Sequence, residues 1–302
     1  GTIRPALQDP RALALRARLA LEDPSFSANQ DDPGNGQLTE AIRRYQARNN
    51  LRPDGIAGHE TLVALNVPVS TRISTIIVNM ERWRWMPRSL GTRYIAVNAA
   101  DASLRVVQDG KTVIASRVIV GRPRSATPIF DAMVTGVTVN PFWNVPPSIA
   151  RNEILPKVRR NPGYLASHHM FIDGSGAVRQ SPGADNALGY VKLEMPNRFN
   201  SYLHDTPARK LFARDERPLS HGCIRVEQIQ PLAAVALTGD PVAGFDVLQA
   251  AIGAGNNKTI PLDKPLPVFV LYWTAIAGQE GTVGFRSDVY GRDQRLLAAL
   301  AG

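Results

Sequence analysis

The chain has 302 residues, 44% hydrophobic and 20% charged, a composition that suits one or two globular domains with a real core. No stretch approaches the roughly 18 apolar residues of a membrane-spanning helix. A formal charge of +9 points to anionic partners, but the basic residues are scattered and no nucleic-acid-binding signature accompanies them, so nucleic acid is not the expected partner.

Taken in chain order, Gly1 to Pro5 form no signal peptide and resemble a mature or trimmed start, which leaves export open. Residues 11–22 have helix-forming composition with spaced leucines. Residues 37–49 form a second helix, with Leu38, Ile42 and Tyr45 at helical spacing. A turn marked by Pro53, Asp54, Gly55 and Gly58 leads into a short helix, 60–65, which stops before Val67-Pro68. From residue 70 the chain turns to short β-branched runs at 73–78, 93–97, 104–108, 115–120 and 131–139, with Asp109-Gly110 as a hairpin turn. Residues 140–147 are a rigid aromatic loop containing Trp143. A helix capped by Ser148, with Glu153 early in it, runs from there toward Pro162. Residues 140–180 are therefore expected to be an inserted cap or lid. Two helices (229–237 and 244–253) and a strand of large apolar residues (267–274) follow the thiol segment, and 285–300 closes the chain.

The one cysteine, Cys223, lies in Pro218-Leu-Ser220-His221-Gly222-Cys223-Ile-Arg225-Val226, downstream of a second histidine, His204. A lone cysteine is most often a small buried apolar residue. Here the neighbours are polar and basic, Gly222 lets the backbone approach a ligand, and positive charge raises the thiolate fraction. That pattern points to a thiol nucleophile and acyl transfer. His204 and His221 are the candidate bases; on a tight turn, the ring of His221 is expected to point away from the sulfur. The backbone N–H groups of Gly222 and Cys223 are candidate oxyanion donors. Arg225 either binds a substrate carboxylate or sits in a structural ion pair. Tyr202, two residues before His204, shares its face of a strand and either lines the site or is core. Ser220 is expected to orient a histidine or meet substrate, and Asp205 to face away from His204. His168 and His169 have no companions at ligand spacing, so no metal and no cofactor are expected.

Two resemblances rest on these residues. The pattern Leu38-Thr39, Ala41, Tyr45-Gln46, Leu51, Asp54-Gly55-Ile56, Gly58, Thr61 and Leu65 resembles the peptidoglycan-binding domain, a small three-helix module. His204, fifteen intervening residues (205–219), then Ser220-His221-Gly222-Cys223-Ile224-Arg225 resembles the L,D-transpeptidase catalytic domain. Val120-Gly121 with Thr127-Pro128, Asn140 to Pro146, Leu188-Gly189 and Val268 to Thr274 resemble the large branch of that family, which carries a capping subdomain.

The resemblance implies an α+β protein. Residues 1–30 would be a helical scaffold remnant, 31–69 the binding module, and 70–302 a β-rich catalytic domain with the cap at about 140–180. It implies that His204 is the base, and that Arg225, Tyr202, Ser220 and Trp143 meet substrate. The implied donor is a peptidoglycan tetrapeptide stem that loses its terminal D-alanine. The implied acceptor is the side-chain amine of diaminopimelate on a neighbouring stem, giving a 3→3 cross-link. The resemblance further implies acylation of Cys223 by carbapenems and a place in the periplasm or cell envelope, with a part in wall organisation and cell shape. An L,D-carboxypeptidase or wall hydrolase using the same thiol, and a non-catalytic wall-binding protein, are the alternatives.

Overall fold

A computed structural model describes residues 1–5, 9–28, 36–278 and 281–302; residues 31–35, where the binding module was expected to begin, lie outside them. The chain divides into two units, residues 1–88 with 272–302, and residues 89–271. These divisions do not coincide with sequence boundaries at 30 and 69, and they group the tail with the N-terminal unit.

The N-terminal unit begins with helices α1 (Ala12–Ala20), α2 (Gly36–Arg48) and α3 (His59–Leu65). Leu19, Leu38, Ile42 and Tyr45 are sealed between them. Gln46 explains the turn motif. Its amide nitrogen donates to Asp54 Oδ1, the Ile56 carbonyl and Thr61 Oγ1, and its Oε1 accepts from the Gly55 N–H. Gly55 sits at φ 77°, which favours glycine. The motif residues are thus engaged in holding the turn.

Residues 73–78 are not a strand. They belong to helix α4 (Val69–Arg84), whose buried residues are Val78, Asn79 and Arg82. That is a helical stripe, whereas a strand would bury alternate residues. Tertiary anchoring overrides the β-branched propensity. Asn79 exchanges hydrogen bonds with Thr274, and Arg82 pairs with Asp293 of the C-terminal helix Arg292–Ala301 at 2.7 Å.

The second unit contains strands β1 (Arg93–Asn98), β2 (Ser103–Gln108), β3 (Lys111–Gly121) and β4 (Phe130–Val139). Asp109 (φ 48°) and Gly110 (φ 75°) make the tight β2–β3 turn. The segment expected to be a cap follows: β5 (Trp143–Asn144), α5 (Pro147–Ile149), a π-helical turn (Ala150–Ile154), α6 (Leu155–Arg160), α7 (Tyr164–Ser167), β6 (Met170–Ile172) and β7 (Val178–Gln180). Ser148 does not cap its helix; Pro147 occupies the first turn instead. This inserted segment has its own small core of Val145, Ala150, Ile154 and Val178.

The chain then returns to the sheet through β8 (Val191–Glu194), β9 (Leu203–His204), β10 (Pro218–Ser220) and β11 (Ile224–Val226). Helices α8 (Ile229–Thr238) and α9 (Pro241–Gly253) lead to β12 (Lys258–Leu271). Helix α9 starts earlier than expected because the Asp240 side chain accepts from the N–H groups of Val242 and Ala243. The strand order is β3-β11-β9-β8-β4-β12-β1-β2, and β2 pairs again with β3, so the sheet closes on itself, with β10 added beside β3. This is the α+β architecture expected, with a β-rich second unit.

Candidate active site

The site follows from strand periodicity and register. In β8, Val191 and Leu193 are buried while Lys192 and Glu194 are partly exposed; in β11, Ile224 and Val226 are buried while Arg225 is partly exposed. β9 pairs in parallel with β11, placing His204 opposite Arg225, and antiparallel with β8, placing His204 opposite Lys192. Paired residues share a face, as do residues two apart. Lys192, Glu194, His204 and Arg225 therefore share one polar face, with Leu193, Leu203 and Ile224 on its apolar underside; Tyr202, edge-on to the imidazole, and Cys223, whose thiol acts on the Arg225 charge, adjoin it just outside the strands.

The turn that carries Cys223 is strapped from both sides. Ser220 Oγ accepts from the Gly222 N–H and donates to the Cys223 carbonyl at 2.6 Å. The loop after β3 supplies three more bonds: the Arg122 N–H and Ser125 hydroxyl to the Ser220 carbonyl, and the Thr127 hydroxyl to the Gly222 carbonyl. Gly121 is required for that approach, since a Cβ there would lie 2.0 Å from the Ser125 carbonyl oxygen. Gly222 itself sits at φ 119°.

Two expectations are corrected here. Ser220 is 2% exposed and both hydrogen bonds of its hydroxyl stay within the turn, so the hydroxyl is spent on the backbone of the turn and pairs with no histidine. The Gly222 amide is turned toward Ser220 and is not free to face an oxyanion. The Cys223 amide has no hydrogen-bond partner among the described residues.

The sulfur is half-buried, with the Asn200 carbonyl 4.0 Å away. Burial pushes the thiol pKa up, while the Tyr202 backbone and hydroxyl, Lys192 and Arg225 pull it down. The thiol therefore rests protonated at neutral pH. His204 is sealed, 4% exposed, with its ring edge-on to Tyr202 at 5.4 Å between centroids. Burial first, then the charges of Arg225 and Lys192, hold its pKa down at about 3; the Asp205 backbone acts in the opposite sense. The imidazole is thus neutral. Its Nδ1 has no partner at full hydrogen-bond geometry, and among the described residues no hydrogen bond joins Sγ to either histidine.

Burial is the main cause of the raised Tyr202 pKa; the thiol acts in the same sense and the Trp143 side chain in the opposite one. Lys192 lies over the Tyr202 ring at 4.9 Å and pairs with Glu194 at 3.0 Å. The Arg225 side chain has no ion pair or hydrogen bond among the described residues, so the structural ion pair weighed for it does not form. Its pKa is lowered by burial, with Cys223 acting in the opposite direction and Arg122 in the same one.

His221 faces outward: its Nε2 meets Glu153 Oε1 of the inserted segment at 2.6 Å and also contacts Arg122. Asp205 also points elsewhere, accepting from Arg209 and the Tyr190 N–H. It crowds Gly189 so closely that a Cβ there would lie 2.4 Å from its carboxyl. A cavity of about 350 Å³ lies beside Asp205, Arg209 and Glu227, away from the sulfur, and is lined by neither Cys223 nor His204. Sequence reasoning missed Lys192, Glu194 and the Glu153 contact, because only cross-strand register and the cap's fold bring them here. The alternation Val191-Lys192-Leu193-Glu194 was the available signal.

The family model for the L,D-transpeptidase catalytic domain matches residues 92–243. The chain belongs to the L,D-transpeptidase family. A second model, described as a putative peptidoglycan binding domain, matches residues 9–65 and so takes in α1. A putative L,D-transpeptidase of Haemophilus influenzae is 31% identical over 290 residues, an alignment covering 88% of this chain and 57% of the relative. This L,D-transpeptidase chain thus spans little more than half of that curated relative. Among solved structures, an L,D-transpeptidase from Stackebrandtia nassauensis is 16% identical, covering 89% of this chain and 97% of its own, with a TM-score of 0.34. The catalytic domain of an E. faecium L,D-transpeptidase acylated by ertapenem is 15% identical, covering 60% of this chain and 97% of its own, with a TM-score of 0.30. Neither likeness is close enough to bear on the site.

Proposed function

We propose that this chain transfers acyl groups between peptidoglycan stem peptides through a thioester on Cys223, forming 3→3 cross-links. What supports this reading is the polar face shared by His204 and Arg225, with Tyr202 edge-on to the imidazole and Cys223 two residues before Arg225, in a member of this family. In the first step Sγ attacks the carbonyl of the L-centre of diaminopimelate at the third stem position. The thiol proton passes to the neutral His204 and on to the departing amine of D-alanine, so that an S–C bond forms as a C–N bond breaks. The acceptor amine of a second diaminopimelate then attacks the thioester, and the thiol is restored. The free Cys223 amide and the Tyr202 hydroxyl serve the oxyanion. Trp143 and Tyr202 form the wall of the donor site, and the cap shields the thioester from water until the amine arrives.

On this reading the protein works outside the cytoplasm, at the cell wall, and takes part in wall organisation and cell shape. Carbapenems acylate the same sulfur. The test is product analysis with disaccharide-tetrapeptides. Cross-linked dimers with release of D-alanine support transpeptidation; trimmed monomers alone would replace it with an L,D-carboxypeptidase. His204→Ala should lose donor acylation, and His221→Ala should lose less.

A further inference from the structure

The loop between β8 and β9 is bent by one side chain, Asn197. Its Nδ2 donates to the Met195 and Ser201 carbonyls at 2.6 and 2.7 Å. Its Oδ1 accepts from the Phe199 and Ser201 N–H groups at 3.0 and 3.2 Å. These bonds use the whole capacity of the amide, two donor hydrogens and two lone pairs on the oxygen. They close the loop over Asn200, which sits at φ 50°, a left-handed conformation that asparagine tolerates and most side chains do not. The Ser201 hydroxyl ties the loop to the thiol turn through the Gly222 carbonyl, and Phe199 packs on Phe130 at 5.4 Å between centroids.

The outcome is an aimed carbonyl. The Asn200 oxygen lies 4.0 Å from Sγ, and among the described residues the thiol is the one group that donates to it. Arg198, Phe199 and Asn200 are exposed, so this stretch of the loop is open to solvent. A strained residue held beside a reacting atom points to function. Once the sulfur is acylated its proton is gone, and the carbonyl is left without a donor. An amine poised to attack stands about 3–3.5 Å from the thioester carbon, which is bonded to the sulfur. A nitrogen there comes within hydrogen-bonding reach of an oxygen 4.0 Å from Sγ.

We propose that the Asn200 carbonyl receives the acceptor amine in the second half-reaction, and that Asn197 is the positioning residue that holds it there. This rests on the acyl-transfer reading above. As the C–N bond forms, the nitrogen becomes positive and carries two hydrogens. One leaves as a proton through the His204 imidazole to the departing sulfur as the C–S bond breaks. The other stays on nitrogen and donates to the Asn200 oxygen. That bond is strongest while the nitrogen is charged, so it lowers the barrier instead of only binding the amine.

The test separates the half-reactions in Asn197→Asp, which keeps the size of the side chain but cannot donate to the two carbonyls. Acylation by a tetrapeptide donor, followed by intact mass, should change little. Discharge of that acyl-enzyme by a primary amine should slow by about 10- to 100-fold, with kcat falling more than the acceptor KM rises. Equal losses in both steps would mean that the loop only supports the thiol turn. Unchanged discharge in the folded variant would mean that the carbonyl is not used. Either result overturns the proposal. The wild type gives a second reading. An N-methylated acceptor has one hydrogen, which the base takes, and none left for the carbonyl. It should react about 10- to 100-fold more slowly than the primary amine, and Asn197→Asp should bring that ratio toward one. A ratio kept in the variant would show that bulk alone sets it, and a wild type that treats both amines alike would refute the contact without any variant. Failure of the wild type to form an acyl-enzyme at all would instead remove the acyl-transfer reading, and this inference with it.

Discussion

Removing one oxygen atom, in Ser220→Ala, tests whether the turn is what holds the thiol in place. Ser220 Oγ satisfies the Gly222 N–H and the Cys223 carbonyl at once and is almost fully buried. Both backbone groups lie at the half-exposed end of the turn, so water can replace part of what is lost. The net cost is then about 1–3 kcal/mol for the two bonds together. For a unit of this size that lowers Tm by roughly 2–10 °C. The effect on chemistry should be larger, because a displacement of Sγ by an ångström costs up to about 100-fold in rate. Thermal unfolding and the rate of acylation by a carbapenem, followed by intact mass, measure the two effects. Ser220→Thr, which keeps the hydroxyl, should recover most of both. Wild-type acylation in a folded Ser220→Ala protein would refute the assignment of Ser220 to holding the turn.

Two further outcomes follow from the charges. The folded pKa of His204, about 3, lies below its ordinary value of 6.5. Below pH 6.5 the unfolded chain therefore binds a proton that the folded one refuses. The stability contribution is present above 6.5 and is lost as pH falls toward 3, by about 1.4 kcal/mol per unit. Urea unfolding should show about 2 kcal/mol more loss between pH 7 and pH 5 in the wild type than in His204→Asn; equal losses would place the imidazole in solvent. Glu153 and His221 form a bridge between half-exposed side chains, worth at most about 1 kcal/mol of stability. Glu153→Ala should leave Tm nearly unchanged yet shift products from cross-linked dimer toward hydrolysed donor; an unchanged product ratio would mean that the bridge does not position the cap.

Much of the site was legible because its residues lie in two short segments. The side-chain period of two placed Tyr202 with His204, and the polar surroundings of Cys223 marked the thiol. What strand alternation cannot reveal is register. Lys192 and Arg225 flank His204 only because β8 and β11 are its neighbours, and nothing local to residue 192 says so. Hydrogen-bond direction was equally hidden: the N–H of Gly222 was free to face either way until Ser220 Oγ claimed it. The β-branched run at 73–78 misled because propensity is a weak guide where polar residues such as Asn79 and Arg82 anchor a helix through its buried face. The helices of the N-terminal unit were legible from leucine spacing. The grouping of the tail with α4 depends on contacts nearly 200 residues apart in sequence.

The most direct measurement is the intact mass of the protein during turnover of a tetrapeptide donor. The wild type should gain the mass of the donor less its terminal D-alanine, the adduct should map to Cys223, and added acceptor amine should discharge it into a dimer. Product formed at the wild-type rate by Cys223→Ala, or turnover with no adduct trapped at any time, would contradict a thioester at this sulfur.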